Sequence, residues 1–149
     1  MAMVIYVGSD HAGYPLKEKI KKILDKKRYD IKDMGTDKAD VSVDYPDYAA
    51  KVAKSVAKNK ATLGILICGT GIGVCIAANK VKGARAALAY NALSAELARE
   101  HNNANILCVG ARTMDHRTAL NIVKTWLSSS FTNEARHTRR IREISKLEK

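Results

Sequence analysis

An alternation constrains this chain more than any other feature. Five short apolar runs are separated by stretches with helical spacing. The runs are Val4 to Val7, Tyr29 to Ile31, Thr62 to Cys68, Ala84 to Ala89 and Asn105 to Val109. Between them lie Tyr14 to Lys27, with Leu16, Ile20, Ile23 and Leu24 on one face and its lysines toward solvent, and a segment from Asp44 to about Lys58. Val74 to Lys80, Ala92 to Glu100 and Ala119 to Ser128 follow, and a charged helix at about 133–147 ends the chain. Single strands separated by helices require right-handed crossovers and a mostly parallel sheet. The expected fold is α/β: a three-layer α/β/α sandwich on a five-stranded Rossmann-like sheet, one domain over 1–149. Asp44 and Asn91 are expected helix caps, with Pro46 and Asp47 in the first turn after Asp44.

In such sheets ligands sit beyond the carboxyl ends of the strands, near a reversal of strand order. The polar residues just after the strands are Asp10-His11, the Cys68 to Gly73 loop, Tyr90-Asn91 and Gly110 to Arg112. They are expected to converge on one edge.

The net charge of +11 favours anionic partners without saying whether the anion is a polymer or a small phosphate. Three cysteines form no disulfide framework. No apolar stretch approaches a membrane span, and no signal-like segment precedes Val4. A cytoplasmic location is the expectation.

The loop Cys68-Gly69-Thr70-Gly71-Ile72-Gly73 allows a tight turn and a close backbone approach, and the helix after it offers free N–H groups to an anion. It lacks the Lys-Ser/Thr of a P-loop, and its glycine spacing departs from the dinucleotide pattern. Cys68 is expected exposed at the strand end, where a helix terminus favours its thiolate; the plain alternative is a small core side chain. Cys75 and Cys108 read as structural, and no zinc spacing links the cysteines and histidines. Asp10-His11 suits anion binding or proton transfer, or merely caps the next helix. His101 ends a helix, a place where histidine is often structural. Arg136 and Arg140 share a helical face and match phosphate geometry. The same run could be a solvated stripe or a nucleic-acid patch, although aromatic stacking platforms are scarce.

Several segments together resemble the type B ribose-5-phosphate isomerases, whose wider family includes galactose-6-phosphate isomerase subunits. They are GSDHAGYPLKEKI at 8–20, SVDYPDYA at 42–49, LICGTGIGVCIAANKVKGARAAL at 66–88, AREHNNANILCVGAR at 98–112 and RHTRRI at 136–141. The resemblance implies an aldose–ketose isomerase acting on a phosphorylated pentose, with no metal, organic cofactor, nucleic acid or membrane involved. It implies a homodimer with shared active sites, some members forming tetramers. Members with cysteine at the position of Cys68 use it as the base; others place a glutamate where this chain has Val74. His101 of the partner subunit would open the sugar ring, and Asn102 beside it would bind sugar oxygens. Asp10 and Tyr45 would line the sugar site, with Asp44 close to the base. Thr70 and the backbone N–H groups of Gly69, Gly71 and Gly73 would stabilise the enediolate oxygen. His11, Arg136 and Arg140 would hold the phosphate, joined by Arg112 from the partner subunit and by His137. Isomerisation of a hexose 6-phosphate is the nearest alternative, and a nucleotide- or RNA-binding module a more distant one.

Overall fold

A computed structural model describes residues Met1–Lys149. The order is β1 (Val4–Ser9), α1 (Tyr14–Lys26), β2 (Asp30–Asp33), α2 (Tyr45–Lys58), β3 (Leu63–Cys68), α3 (Ile72–Ala78), β4 (Ala86–Leu88), α4 (Ala92–Glu100), β5 (Ile106–Gly110), α5 (His116–Ser128) and α6 (Ala135–Ser145). The strands form one sheet in the order β2-β1-β3-β5-β4, and every pairing is parallel. The three-layer α/β/α expectation therefore holds. β3 and β5 are buried along their whole length because helices cover both faces.

Two apolar clusters mark the two faces. One joins Ile5, Val7, Ile65 and Leu107 to α1 and α5, with Trp126 fully buried. The other joins Leu66, Cys68 and Cys108 to α2 and α3 through Val52, Val56 and Val74. No helix is long and apolar enough to cross a membrane.

The structure departs from the sequence expectations at defined points. The lysines of α1 do not all face solvent. Lys17 is completely buried, and its Nζ donates to Asp33 Oδ1 and to the Thr36 carbonyl, each at 2.6 Å. The chain burying this ammonium gives it two acceptors, as a buried charge requires. Helix α5 begins at His116, three residues before Ala119, because Asp115 accepts the Thr118 N–H at 2.7 Å and caps it. Asp44 stands at the N-cap position of α2 but its side chain makes no capping bond. At Asn91 the expected cap is present, reinforced by Ser94 in a reciprocal box. Strand β4 shrinks to three residues at the sheet edge.

Candidate active site

The strand order reverses between β1 and β3: from β1 the chain first adds β2 on one side, then crosses to β3 on the other. At the carboxyl end of this pair Ser9 lies opposite Ile67, which puts Asp10 and His11 beside the loop after Cys68. Asp10 is buried; its N–H donates to the Ile67 carbonyl at 3.3 Å and its Oδ1 accepts the Gly13 N–H at 2.9 Å. Gly13 tolerates no side chain here, since a Cβ would stand 2.5 Å from the Ile67 carbonyl oxygen. His11 Nδ1 accepts the Val43 N–H at 3.2 Å, so the neutral ring carries its proton on Nε2.

The loop after β3 is held by its own backbone. The Cys68 and Gly69 carbonyls accept the N–H groups of Ala111 and Arg112 at 2.9 and 2.8 Å. Gly71 has φ +76° and presses against Leu88, Val109 and Gly110, a conformation and a space that glycine alone fills without strain. Its N–H donates to Cys68 Sγ at 3.1 Å. The expectation of an exposed Cys68 is corrected: the residue keeps only 4% exposure, because the glycine turn folds back over the sulfur and Val74 packs with it. The sulfur is thus nearly desolvated and held by one fixed N–H donor.

The N–H groups of this turn divide into two sets. Gly71 is committed to the sulfur, and Ile72 donates to Thr70 Oγ1 at 3.2 Å. Those of Gly69, Thr70, Gly73 and Val74 have no acceptor in the chain. The Gly71 N–H, expected to serve an oxygen, is thus bonded to the sulfur instead. Tyr45 lies across Gly73, where an added Cβ would come within 2.9 Å of its hydroxyl. The Asp44 carboxylate beside it is exposed and unbonded. Arg112 lies along Gly69 of its own chain, its Cδ 3.5 Å from the position of a Cβ there.

The remaining candidates lie at the other end of the molecule. Helix α4 runs back against the strand direction, and its nine residues carry the chain roughly 13 Å, from the carboxyl edge to the amino edge of the sheet. His101 and Asn102 follow it there, just before β5 begins. The buried His137 ring of α6 stacks on His101 with centroids 4.2 Å apart and planes 15° from parallel. Burial pushes the His137 pKa down, and the positive charges of His101 and Arg136 add to the effect against Glu134. Arg136 and Arg140 are exposed on the same helix, Arg136 paired with Glu134 at 3.0 Å. One chain thus places the candidates in two groups: Asp10, His11, Asp44, Tyr45, Cys68 to Gly73 and Arg112 at one end, and His101, Asn102, Arg136, His137 and Arg140 at the other.

Sequence reasoning missed Lys17 and Asp33, which brace the strap 34–43 behind β1. Asp33 accepts from Lys17 and Lys21, and Gly35 and Thr36 bond both backbone groups of Ser9 at 2.7 Å. The available signal was a lysine set among Leu16, Ile20 and Leu24 on the buried side of α1.

The family model described as Ribose/Galactose Isomerase matches residues 5–144. A putative sugar phosphate isomerase of Bacillus subtilis is 47% identical over 98% of this chain and 97% of its own length. A probable ribose-5-phosphate isomerase B of Mycoplasma genitalium is 46% identical over 100% and 98%. A D-erythrulose-4-phosphate isomerase of Mycolicibacterium smegmatis is 38% identical over 97% and 96%. Among solved structures, ribose 5-phosphate isomerase B of Thermotoga maritima superposes with a TM-score of 0.93 at 48% identity, covering 99% of this chain and 100% of that one. That of Clostridium thermocellum gives 0.93 at 48% identity, covering 97% of each. The chain belongs to the ribose/galactose isomerase family.

Proposed function

We propose that the protein interconverts ribose 5-phosphate and ribulose 5-phosphate through an enediolate, the whole chain 1–149 acting as one such domain. The glycine turn carries the reading: a thiol with one fixed N–H donor lies beside four backbone N–H groups that have no acceptor. Removing the proton from the carbon next to a carbonyl builds negative charge on oxygen, and donors aimed beforehand stabilise it where it develops. Cys68 takes the proton from C2 and returns it to C1. Thr70 accepts the Ile72 N–H through its hydroxyl oxygen, leaving its own O–H free to donate to the substrate. Asp10, Tyr45 and Asp44 line the sugar, and His11 turns Nε2–H to the phosphate.

The site is shared between two copies of the chain. His101 opens the furanose ring, a step that must precede proton transfer because a cyclic aldose has no carbonyl. His101 of its own chain lies at the opposite edge of the sheet from Cys68, so His101 of the partner subunit does this work. Asn102, Arg136 and Arg140 arrive with it, the two arginines on the phosphate. His137, buried against His101, backs that ring. A self-complementary surface is at hand: Ile72, Ile76, Tyr90 and Leu93 flank the short edge strand β4 and are each 50–69% exposed.

A rate assay across ribose, allose and galactose phosphates and erythrulose 4-phosphate tests the function. Ribose 5-phosphate is expected to give the highest kcat/KM. Faster turnover of a hexose 6-phosphate would overturn the pentose assignment.

A further inference from the structure

The turn that carries His101 and Asn102 is held in an unusual way. Helix α4 ends with Asn103 in the left-handed region at φ +44°. The Asn103 N–H reaches the Arg99 carbonyl at 3.1 Å, and the Ala104 N–H reaches the Ala98 carbonyl at 2.9 Å. This closing motif usually employs glycine and sometimes asparagine. Two guanidinium groups then grip the exit of the turn. Arg85 donates from Nε and Nη2 to the Asn103 carbonyl at 3.1 and 3.0 Å. Arg99 donates from Nη1 to the Ala104 carbonyl at 2.6 Å and to Asn103 Oδ1 at 3.4 Å. Asn105 locks the neighbouring strand: its Oδ1 accepts the Arg85 N–H at 2.7 Å and its Nδ2 donates to the Gly83 carbonyl at 2.9 Å.

Neither guanidinium is paired with a carboxylate. Both are half-buried, and Arg99 Nε is buried without any acceptor. Burial disfavours the charge on each, and the Arg85 charge further disfavours that on Arg99; only Glu148, at longer range, favours Arg85. The Arg99 guanidinium lies over the Trp126 ring, 5.4 Å from its centre. Two like charges brought together out of water are a poor device for stability alone. What they have in common is the pair of carbonyls just after His101 and Asn102.

We propose that Arg85 and Arg99 are positioning residues for ring opening: by holding the Asn103 and Ala104 carbonyls they aim His101 at the sugar. The proposal rests on the reading that His101 opens the ring. Displacing a reacting group by 1 Å can cost about a hundredfold in rate, so an untethered turn has a large lever on the step His101 performs. It has little leverage on proton transfer at Cys68, which lies on a different element.

Chemistry separates the two steps. Ribulose 5-phosphate cannot close to a furanose, because its 5-hydroxyl carries the phosphate, so exchange of its C1 hydrogen with solvent deuterium needs no ring opening. The experiment measures ribose 5-phosphate turnover and this exchange for Arg85→Met, Arg99→Met, Arg85→Lys and the reference variant His101→Asn. Arg85→Met and Arg99→Met are expected to lower kcat on ribose 5-phosphate by about tenfold or more with KM nearly unchanged, and to keep exchange within about twofold of wild type. Arg85→Lys, which retains one donor, is expected to recover part of the loss and supplies the measurement if a methionine variant does not fold. If His101→Asn shows the split but the folded arginine variants turn over ribose 5-phosphate like wild type, or lose both reactions alike, the proposal is overturned. If His101→Asn itself loses both reactions alike, the ring-opening reading falls and takes the proposal with it.

Discussion

The two half-sites are built by opposite means. At the carboxyl edge of the sheet, Asp10, Cys68 and the glycine turn are fixed by backbone bonds between adjacent parallel strands and the loops that leave them. At the amino edge, His101 and Asn102 follow a nine-residue helix and depend on side chains: two guanidinium groups and a stacked imidazole. Helix α6, with Arg136 and Arg140, extends this second region, and of its residues only His137 is buried. On the proposed reading, proton transfer, which demands fixed geometry, falls to the sheet-borne group. Phosphate recognition, which the same reading gives to Arg136 and Arg140, depends on charge at longer reach and suits a helix that packs lightly on its own domain.

Mixing subunits puts this contrast to its hardest trial. Cys68→Ala removes the proposed base, and a loss in kcat of about a thousandfold is expected, within the range of general base catalysis. His101→Asn damages the other half-site. If each active site takes one half from each chain, co-refolding equal amounts of the two inactive variants restores about a quarter of wild-type activity. Half of the dimers are then mixed, and each holds one intact site. Cys68→Ala retaining more than a tenth of wild-type kcat would remove sulfur from the mechanism. A mixture no more active than its components would place both halves in one chain.

The phosphate end should respond more mildly. If Arg136 and Arg140 each give the substrate a charge-assisted bond, Arg136→Ala and Arg140→Ala are expected to raise KM by about tenfold or more while kcat changes little. Inhibition by a phosphorylated sugar acid should weaken in parallel. Unchanged inhibition in both variants would show that the phosphate binds elsewhere.

The carboxyl-edge half-site was legible in the sequence because its causes are local. Buried parallel strands read as continuous apolar runs, so TLGILIC located β3 and the glycines after it located the turn. Asn91 likewise announced α4. The burial of Cys68 was not legible, because it follows from Gly71 turning left-handed and folding the loop over the sulfur. Lys17 escaped because its acceptors, Asp33 and the Thr36 carbonyl, lie 16 and 19 residues away. Arg85 and Arg99 escaped for a related reason: their acceptors are mainly carbonyls, which no side-chain pattern records. That His101 and Cys68 stand at opposite edges comes from topology, since a crossover helix must return against its strands.

The smallest effect concerns the brace behind the first half-site. Burial opposes the ionisation of Asp33, but hydrogen bonds from Lys17, Lys21 and the Gly35 N–H outweigh it and hold the carboxyl below its ordinary range. A carboxyl depressed in the folded state contributes stability above its unfolded pKa of about 3.9, and that contribution fades as pH falls toward the folded value. Asp33→Asn keeps an acceptor for Lys17 but loses the charge, so a cost of about 1 kcal/mol is expected at neutral pH. Urea unfolding of wild type and variant at a series of pH values should show the gap narrowing below about pH 4. A gap that stays constant down to pH 2 would mean that the Asp33 charge does not brace the strap. Because Lys17 and Asp33 stand behind β1 and not at the reacting atoms, the same variant should leave the Cys68 step nearly intact at neutral pH. The sheet-borne half-site would then tolerate the loss of a side-chain brace better than the helix-borne half-site tolerates the loss of Arg85.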